Sequence, residues 1–289
     1  MLESIENIKN NVTEIPLDSK FYPSEWKSLS DAPKCLYAIG NVALLQERKF
    51  ACVGSRRTPA NALKLGEKIA QELARTFVIV TGTADGGDTS AIEGGLKNGR
   101  IICLLAGGFS AIPQGNLPLL ERVSKKGLLL SPHPFETSVR GYSYEYRNKL
   151  LAYLSEAVLV LGAGEKSGAL ITAKYAKESK KPIFAFPYPP NSASGAGCNG
   201  LIKQGGYLVE NAEDIAQKLS IEWTEEKTLP AMSAEEERVY TALKESGETH
   251  ASVLAQTAGI PVFKLRAILS SLEVKSLVVS LGGNTYSAV

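Results

Sequence analysis

Residues 51–56, Ala51-Cys52-Val53-Gly54-Ser55-Arg56, join the end of an apolar run to a glycine turn. A helical pattern follows from Ala60 to Thr76. A short apolar run that leads through a glycine turn into a helix is typical of a buried strand in a β-α unit. The stretch therefore predicts the first unit of an α/β sheet, with its turn at the edge where such sheets bind ligands.

The same order of strand, turn and helix recurs along the chain. Further apolar strands are predicted at residues 78–80, 101–106, 128–130, 157–161, 183–186 and 207–209. Strands that alternate with helices indicate a parallel sheet covered on both faces, and right-handed crossovers place every strand-to-helix loop on one edge. We therefore predict a doubly wound, mostly parallel, Rossmann-like α/β domain over residues 46–222.

Other segments flank this domain. Residues 1–45 are polar and irregular, which predicts a lead-in packed on the core, and the charged, proline-containing residues 223–232 predict a linker. Residues 233–289 contain a capping box at Ser233, three helical patterns and a hairpin turn at Gly282-Gly283. This combination predicts a small C-terminal winged-helix domain.

Composition limits the kinds of site that the chain can hold. Lys and Arg total 32 against 30 Asp and Glu, so a nucleic-acid site must be a local patch of positive charge. The four cysteines form no C-x-x-C pair and there are only two histidines, so we expect no metal site. No signal sequence or membrane span is recognisable, and we expect a cytoplasmic protein.

Two of the predicted loops favour an anion. Gly54, Ser55 and Arg56 follow the first strand, where free N–H groups near a helix start and a bidentate guanidinium suit a phosphate. Lys166, Ser167 and Gly168 lie in the fourth loop and offer a lysine, a hydroxyl and a helix N-terminus. The fourth loop has the spacing G-x-G-x-x-x-G, which matches neither a dinucleotide fingerprint nor a P-loop.

Two further segments leave the choice between structure and function open. Arg147 and Asn148 lie on a predicted helix after several tyrosines, which is what stacking on unpaired bases needs and also what a half-exposed amphipathic helix contains. The second loop, residues 81–88, is rich in glycine but carries two carboxylates that repel phosphate. Asp88 there is a candidate N-cap of the following helix.

No nucleophile-base pair, metal cluster or close carboxylate pair is recognisable in the sequence. Anion-favouring loops on one edge without a catalytic group indicate a binding surface, so we expect no catalytic residue, no cofactor and no enzyme. On the predicted helix 262–272 the cations are Lys264 and Arg266, so contact with protein is expected ahead of DNA-groove binding.

Taken together, the motifs resemble the DNA-processing protein A family, also called DprA or Smf. The resemblance covers roughly residues 22–215. It is carried by Tyr22-Pro23, Pro33-x-x-Leu36-Tyr37-x-x-Gly40-Asn41, Val53-Gly54-Ser55-Arg56, Gly107-Gly108 with Pro113-x-x-Asn116, Arg147-Asn148 with Leu154-Ser155, Ser167-Gly168-Ala169-Leu170-Ile171-Thr172-Ala173, and Gly197-Cys198-Asn199-x-Leu201-Ile202.

The resemblance implies a homodimeric protein that binds single-stranded DNA and loads the RecA recombinase onto incoming DNA in natural transformation. It implies that Gly54, Ser55 and Arg56 hold a DNA phosphate. It also implies that Asn148, Ser167 and Gly168 line the same pocket, while Arg147 and Lys166 add positive charge.

The second loop departs from the family pattern. The family usually has S-G-x-A-x-G-I-D-x-x-A-H-x-x-A-L at the second loop, and this chain has Asp85 inside it and Glu93 in place of the histidine. We expect both to make the pocket less positive, so that Arg56 carries more of the phosphate contact. Two other functions stay open: a nucleotide sensor or enzyme on a related scaffold, and an adaptor that acts through its winged helix.

Overall fold

The structure is a computed structural model that describes residues 11–223, 232–275 and 277–288. The chain divides into two compact units between Trp223 and Thr224. The predicted linker, residues 223–232, lies almost entirely outside the described residues, as do the first ten residues of the predicted lead-in.

The first unit is built on one nine-stranded sheet. Its strands are β1 (Thr13–Pro16), β2 (Cys35–Gly40), β3 (Lys49–Gly54), β4 (Val78–Thr81), β5 (Ile101–Leu104), β6 (Leu128–Ser131), β7 (Val158–Gly162), β8 (Ile183–Ala185) and β9 (Tyr207–Leu208). Their spatial order is β1-β2-β6-β5-β4-β3-β7-β8-β9. The strands from β6 to β9 in this order are all parallel, which confirms the predicted α/β fold.

Helices connect these strands. They are α1 (Ser24–Lys27), α2 (Ala60–Leu73), α3 (Gly87–Lys97), α4 (Leu117–Lys126), α5 (Gly141–Leu154), α6 (Ala169–Glu178), α7 (Ala196–Lys203) and α8 (Ala212–Lys218). Three short 3-10 turns lie at Val42–Gln46, Phe109–Ala111 and Gln114–Asn116.

The sheet separates two apolar cores, because successive side chains of a strand point to opposite faces. In β3, Phe50 and Cys52 join the core under α2, α3 and α4. Ala51 and Val53 join the other core, under α5 and α6. The central strands are therefore buried on both faces, which explains their continuous apolar sequence.

The N-terminal segment corrects one expectation. Residues 1–45 were expected to be an irregular lead-in, but β1 and β2 extend the sheet, with β1 antiparallel to β2 and β2 antiparallel to β6. The Trp26 side chain is fully buried, and its indole N–H donates to the Leu150 carbonyl of α5 at 2.8 Å. The segment is thus an edge of the sheet and part of its second core.

The strand order creates a switch point between β3 and β7. The chain proceeds outward from β3 through β4, β5 and β6, and it then returns through α5 to the other side of β3. The helices that follow β3 and β7, α2 and α6, pack on opposite faces. The loops after β3 and β7 therefore diverge and open a crevice at the carboxyl ends of the strands, where α/β sheets bind ligands.

The second unit contains α9 (Ala234–Ser246), α10 (Ala251–Ala258) and α11 (Val262–Val274), with strands β10 (Thr249–His250), β11 (Val278–Gly282) and β12 (Thr285–Ala288) in the order β10-β12-β11. The predicted capping box at Ser233 is confirmed, since the Ser233 and Glu236 side chains each accept from the other's backbone N–H. The predicted hairpin is present as β11 and β12. A winged-helix classification stays a prediction.

In the part of the chain that the structure describes, no single helix has the length and apolar character to cross a membrane. The pair α10 and α11 meets the same test of length and composition only when taken together, and the pair is bent by 100°.

Candidate functional site

A cavity of about 890 Å³, here called the main cavity, lies at the switch point. Loops after β3, β4 and β7 and the first half of α5 contribute its walls. The eight predicted binding residues all line it: Gly54, Ser55, Arg56, Arg147, Asn148, Lys166, Ser167 and Gly168. The fold thus brings together side chains that are far apart in the sequence.

The loop after β3 is held by its neighbours on both sides. Ser55 donates its backbone N–H to the Gly162 carbonyl at 2.8 Å, which joins the loops after β3 and β7. A Cβ on Gly54 would lie 2.8 Å from the Gly87 Cα, so the two loops meet backbone to backbone. We expected free N–H groups in this loop, near the start of a helix, to suit a phosphate. Glycine is required at position 54 because of the close approach of Gly87. The Gly54 N–H is not free, since it donates to Asp88 Oδ1 at 3.3 Å.

Asp88 connects the first two loops. It is the second residue of α3, so it is not the N-cap that the sequence suggested. Its carboxylate accepts from the backbone N–H groups of Gly54, at 3.3 Å, and Ala84, at 3.2 Å. Burial raises the pKa of Asp88, whereas Arg147 and the two N–H groups act in the opposite direction. Asp88 therefore orders the loops and is a poor candidate for ligand contact.

Arg147 lies at the floor of the main cavity, and its side chain is only 7% exposed. Its Nη1 donates to the Leu104 carbonyl at 3.3 Å and lies 3.8 Å from Asp88 Oδ2. Gly82 makes room for it, because a Cβ there would lie 2.5 Å from the guanidinium carbon. The charge that Arg147 was expected to add is offset by Asp88. Its Nε, however, is buried without a hydrogen-bond partner among the described residues.

The loop after β7 is joined to α5. Asn148 donates its side-chain amide to the Gly168 carbonyl at 3.0 Å. Ser167 accepts two hydrogen bonds from the start of α6. Its Oγ accepts from the Ala169 N–H at 3.3 Å, and its carbonyl accepts from the Leu170 N–H at 3.0 Å. The first N–H groups of α6 are thus partly satisfied, and this helix N-terminus is a weaker anion site than the sequence suggested.

Three cations on the rim remain free. The side chains of Arg56, Arg57 and Lys166 line the main cavity, belong to exposed residues, and make no hydrogen bond or ion pair with any residue that the structure describes. Guanidinium and ammonium groups in this state contact a phosphate without first breaking an internal pair. The rim is therefore the positive part of the site.

The geometry corrects the expectation that Asp85 and Glu93 lie at the main cavity and make it less positive. Glu93 does not line the main cavity, and it forms a two-point ion pair with Arg122 at 2.7 and 2.9 Å. Asp85 also lies outside the main cavity and borders two smaller ones. The carboxylate that does reach the main cavity is Asp88, whose charge faces Arg147. Neither position 85 nor position 93 therefore contributes a side chain to the lining of the main cavity.

Comparison with known proteins supplies the family. The model of the DNA recombination-mediator protein A family matches residues 14–220. The chain belongs to this family.

Individual relatives agree with this assignment. The chain is 37% identical to the DNA processing protein DprA of Bacillus subtilis, over 75% of each chain. It is 30% identical to the protein Smf of Escherichia coli, over 93% of this chain and 75% of that protein.

Two solved structures share the fold. DprA from Streptococcus pneumoniae aligns with a TM-score of 0.68 at 30% identity, over 76% of this chain and 78% of that chain. DprA from Helicobacter pylori, whose structure is described as showing a single-stranded DNA binding mode, aligns with a TM-score of 0.65 at 29% identity, over 72% and 95% of the two chains.

In this member of the DNA recombination-mediator protein A family, the fold also brings to the main cavity residues that had no predicted role. Arg57 was passed over although it directly follows Arg56. Thr172 is fully buried on α6, and its hydroxyl has no partner among the described residues. Ser194 lies in the loop before α7 and also lines the cavity. Thr172 belongs to the motif of residues 167–173 but had no predicted role, and no motif marks Ser194, which only the fold brings to the cavity.

Proposed function

We propose that this protein binds single-stranded DNA through the main cavity. The observation that carries the proposal is the set of three cations, Arg56, Arg57 and Lys166, that line the main cavity at the switch point and have no partner among the described residues. The H. pylori relative, whose solved structure concerns single-stranded DNA binding, supports the same ligand. A binding site that is positive only locally suits this chain, because its numbers of acidic and basic residues are nearly equal.

In this proposal the rim binds phosphate and the floor sets the shape of the site. Arg56 offers a bidentate fork to one phosphate, and Lys166 offers a point charge across the cavity. Gly54, Ser55, Asn148, Ser167 and Gly168 form the walls, while Arg147 holds the floor and presents its unpaired Nε–H. The Tyr144 ring, which is 53% exposed on the same wall, provides a stacking surface for an unpaired base.

We further propose that the protein protects incoming single strands and loads the RecA recombinase onto them, as the family resemblance implies, and that it does so in the cytoplasm. The role is binding and requires neither cofactor nor catalytic group. We also retain a homodimer through the Rossmann-like domain. The exposed apolar side chains of Tyr207 and Leu208 on the edge strand β9 support such an interface.

For the second unit we propose a winged helix that contacts protein. Its three helices and three-stranded sheet support the classification. The helix that would enter a groove, α11, exposes Phe263 at 79% and Val262 at 55%. Of its cations, Lys264 lies 3.5 Å from Glu235. An apolar surface with little free positive charge suits a protein partner better than a DNA groove.

The test is fluorescence anisotropy with labelled oligo-dT and with a duplex of equal length, at a fixed salt concentration. Arg56→Ala is expected to weaken oligo-dT binding about 10- to 100-fold, the range for a charged hydrogen bond. Lys125→Ala, which removes an equal charge from a side chain 70% exposed on α4, is the matched control. Equal affinity for duplex, or equal effects of the two variants, would refute the proposal.

A nucleotide is the second candidate ligand. A cavity of about 890 Å³ is within the range of small-molecule sites, and the same rim would bind its phosphates. Calorimetry with a panel of nucleotides distinguishes the two ligands. Heat that disappears in Arg56→Ala, without displacement by oligo-dT, would favour a nucleotide sensor or enzyme.

A further inference from the structure

A second cavity of about 200 Å³, here called the side cavity, opens beside the main cavity. The two share Arg56, Ala84, Tyr144 and Arg147, so the side cavity begins where Arg56 would hold a phosphate. It extends from there between the loops after β4 and β5. A strand whose phosphate lies at Arg56 therefore has this space next to it.

The side cavity has the shape and surface of a base site. Its walls are mostly apolar and include Leu105, Ala106, Ile112, Pro113 and Val139. The Tyr144 side chain also lines it. With about 200 Å³ the space is below the usual range for a whole small-molecule ligand, and a single flat base fits such a volume. Apolar and aromatic walls are what proteins use to hold an unstacked base.

The polar part of this cavity's lining includes a carboxylate, beside the Arg56 and Arg147 guanidinium groups and the Asn116 amide. Asp85 lines the cavity, belongs to an exposed residue, and makes no hydrogen bond or ion pair with the residues that the structure describes. The other nearby carboxylates are engaged, Asp88 with two N–H groups and Glu93 with Arg122. The Asn116 amide donates to the Thr83 carbonyl at 2.7 Å, which fixes the wall beside Asp85.

An ionised carboxylate only accepts hydrogen bonds, so it discriminates among bases. Guanine presents two adjacent donors, its N1–H and its 2-amino group, to the two oxygens of a carboxylate. Thymine presents one N–H between two carbonyl oxygens, which the carboxylate repels. A free aspartate in a base-sized cavity therefore favours guanine and disfavours thymine.

We propose that the side cavity is a nucleobase subsite and that Asp85 makes it select guanine over thymine. The inference rests on the proposed function, because the strand must first be held at Arg56. The inference also gives Asp85 of the second loop a role. Its negative charge weakens the binding of every DNA strand, but its carboxylate distinguishes one base from another.

The experiment compares three oligonucleotides of about 12 nucleotides: oligo-dT, the same strand with one central dG, and the same strand with deoxyinosine there, which lacks the 2-amino group. Each is titrated against the full-length wild type by anisotropy at fixed salt. We expect the dG strand to bind at least about fivefold more tightly than oligo-dT, with the inosine strand between them.

Two variants separate base selection from simple charge. Asp85→Asn is expected to tighten oligo-dT binding, because a charge that repels phosphate is lost. It is also expected to abolish the preference for dG, so that the dG strand and oligo-dT bind with about equal affinity. The matched control is Glu165→Gln, on the loop after β7 and outside the side cavity. It removes the same charge, and it is expected to tighten binding of all three strands equally while the preference stays.

The outcomes distinguish the inference from the proposed function. Equal affinity of the wild type for all three strands, or a preference that survives Asp85→Asn, would overturn the base subsite while oligo-dT binding that depends on Arg56 still stands. Binding that does not respond to Arg56→Ala would overturn the proposed function, and the subsite with it.

Discussion

Arg147 Nη1 lies 3.8 Å from Asp88 Oδ2, and 7% of each side chain is exposed. This buried pair lies beneath the proposed binding surface and joins α5 to the first turn of α3. Asp88 also accepts from Gly54 and Ala84, so the pair fixes the loops after β3 and β4, and the first of these carries Arg56 and Arg57. Removing one partner leaves the other charge buried without compensation.

We therefore predict that Asp88→Asn lowers the free energy of unfolding by about 3 kcal/mol, the cost of leaving a buried charge unpaired. Arg147→Met alone is expected to cost a similar amount. The double variant is expected to lose less than the sum, because neither charge remains. Urea denaturation measures all three, and strictly additive losses would contradict the coupling.

The close approach of Gly54 and Gly87 gives a second prediction. Gly87→Ala is expected to lower the free energy of unfolding by about 1–3 kcal/mol, because the added methyl group meets the Gly54 backbone. Gly168→Ala is the control, since its φ is −58° and a Cβ there meets nothing within 4 Å. That variant is expected to be neutral or to gain up to about 1 kcal/mol. Equal losses in both would show that the backbone contact is not what requires glycine.

Glu93 provides a prediction about charge. Because Arg122 neutralises it outside the main cavity, Glu93→Gln is expected to change affinity for oligo-dT less than about twofold, the size of a surface ion-pair effect. Anisotropy at fixed salt measures this. An increase in affinity of about tenfold would show that Glu93 does make the binding site less positive, as the sequence suggested.

The second unit carries a pH-sensitive contact. Lys275, the Ser233 N–H and Ser271 together lower the pKa of Glu236 from 4.5 to about 2. Since the folded state holds the charged form, this contact stabilises the fold above about pH 4.5 and is lost as the pH falls towards 2. A carboxyl-carbon NMR titration of the full-length protein measures the pKa, and Lys275→Met is expected to raise it. A Glu236 pKa near 4.5 in the wild type would contradict the contact.

The central sheet could be predicted from the sequence because buried parallel strands carry unbroken apolar residues and end in glycine turns. β1 was missed because its sequence, Thr13-Glu14-Ile15-Pro16, has a single buried side chain and ends in proline, as suits an edge strand. The residues around the main cavity were found because they lie in loops at one sheet edge.

The state of each side chain in the cavity could not be predicted. Arg56 and Arg147 look equally suitable in the sequence. Arg56 is exposed and has no partner in the part of the chain that the structure describes, while Arg147 is buried against Asp88. The difference depends on which distant residue packs beside each guanidinium. The same holds for Glu93, whose partner Arg122 lies on another helix.

The salt dependence of binding tests the central claim most directly. If Arg56, Arg57 and Lys166 contact phosphates, a plot of log affinity for oligo-dT against log salt concentration has a slope of about −2, or about −0.7 per contact. The triple variant Arg56→Ala, Arg57→Ala, Lys166→Ala is expected to bring that slope close to zero. The control replaces Lys68, Lys125 and Lys174, whose side chains are 61–70% exposed, and is expected to keep the slope. A slope that is the same in wild type and rim variant would contradict binding at the switch point.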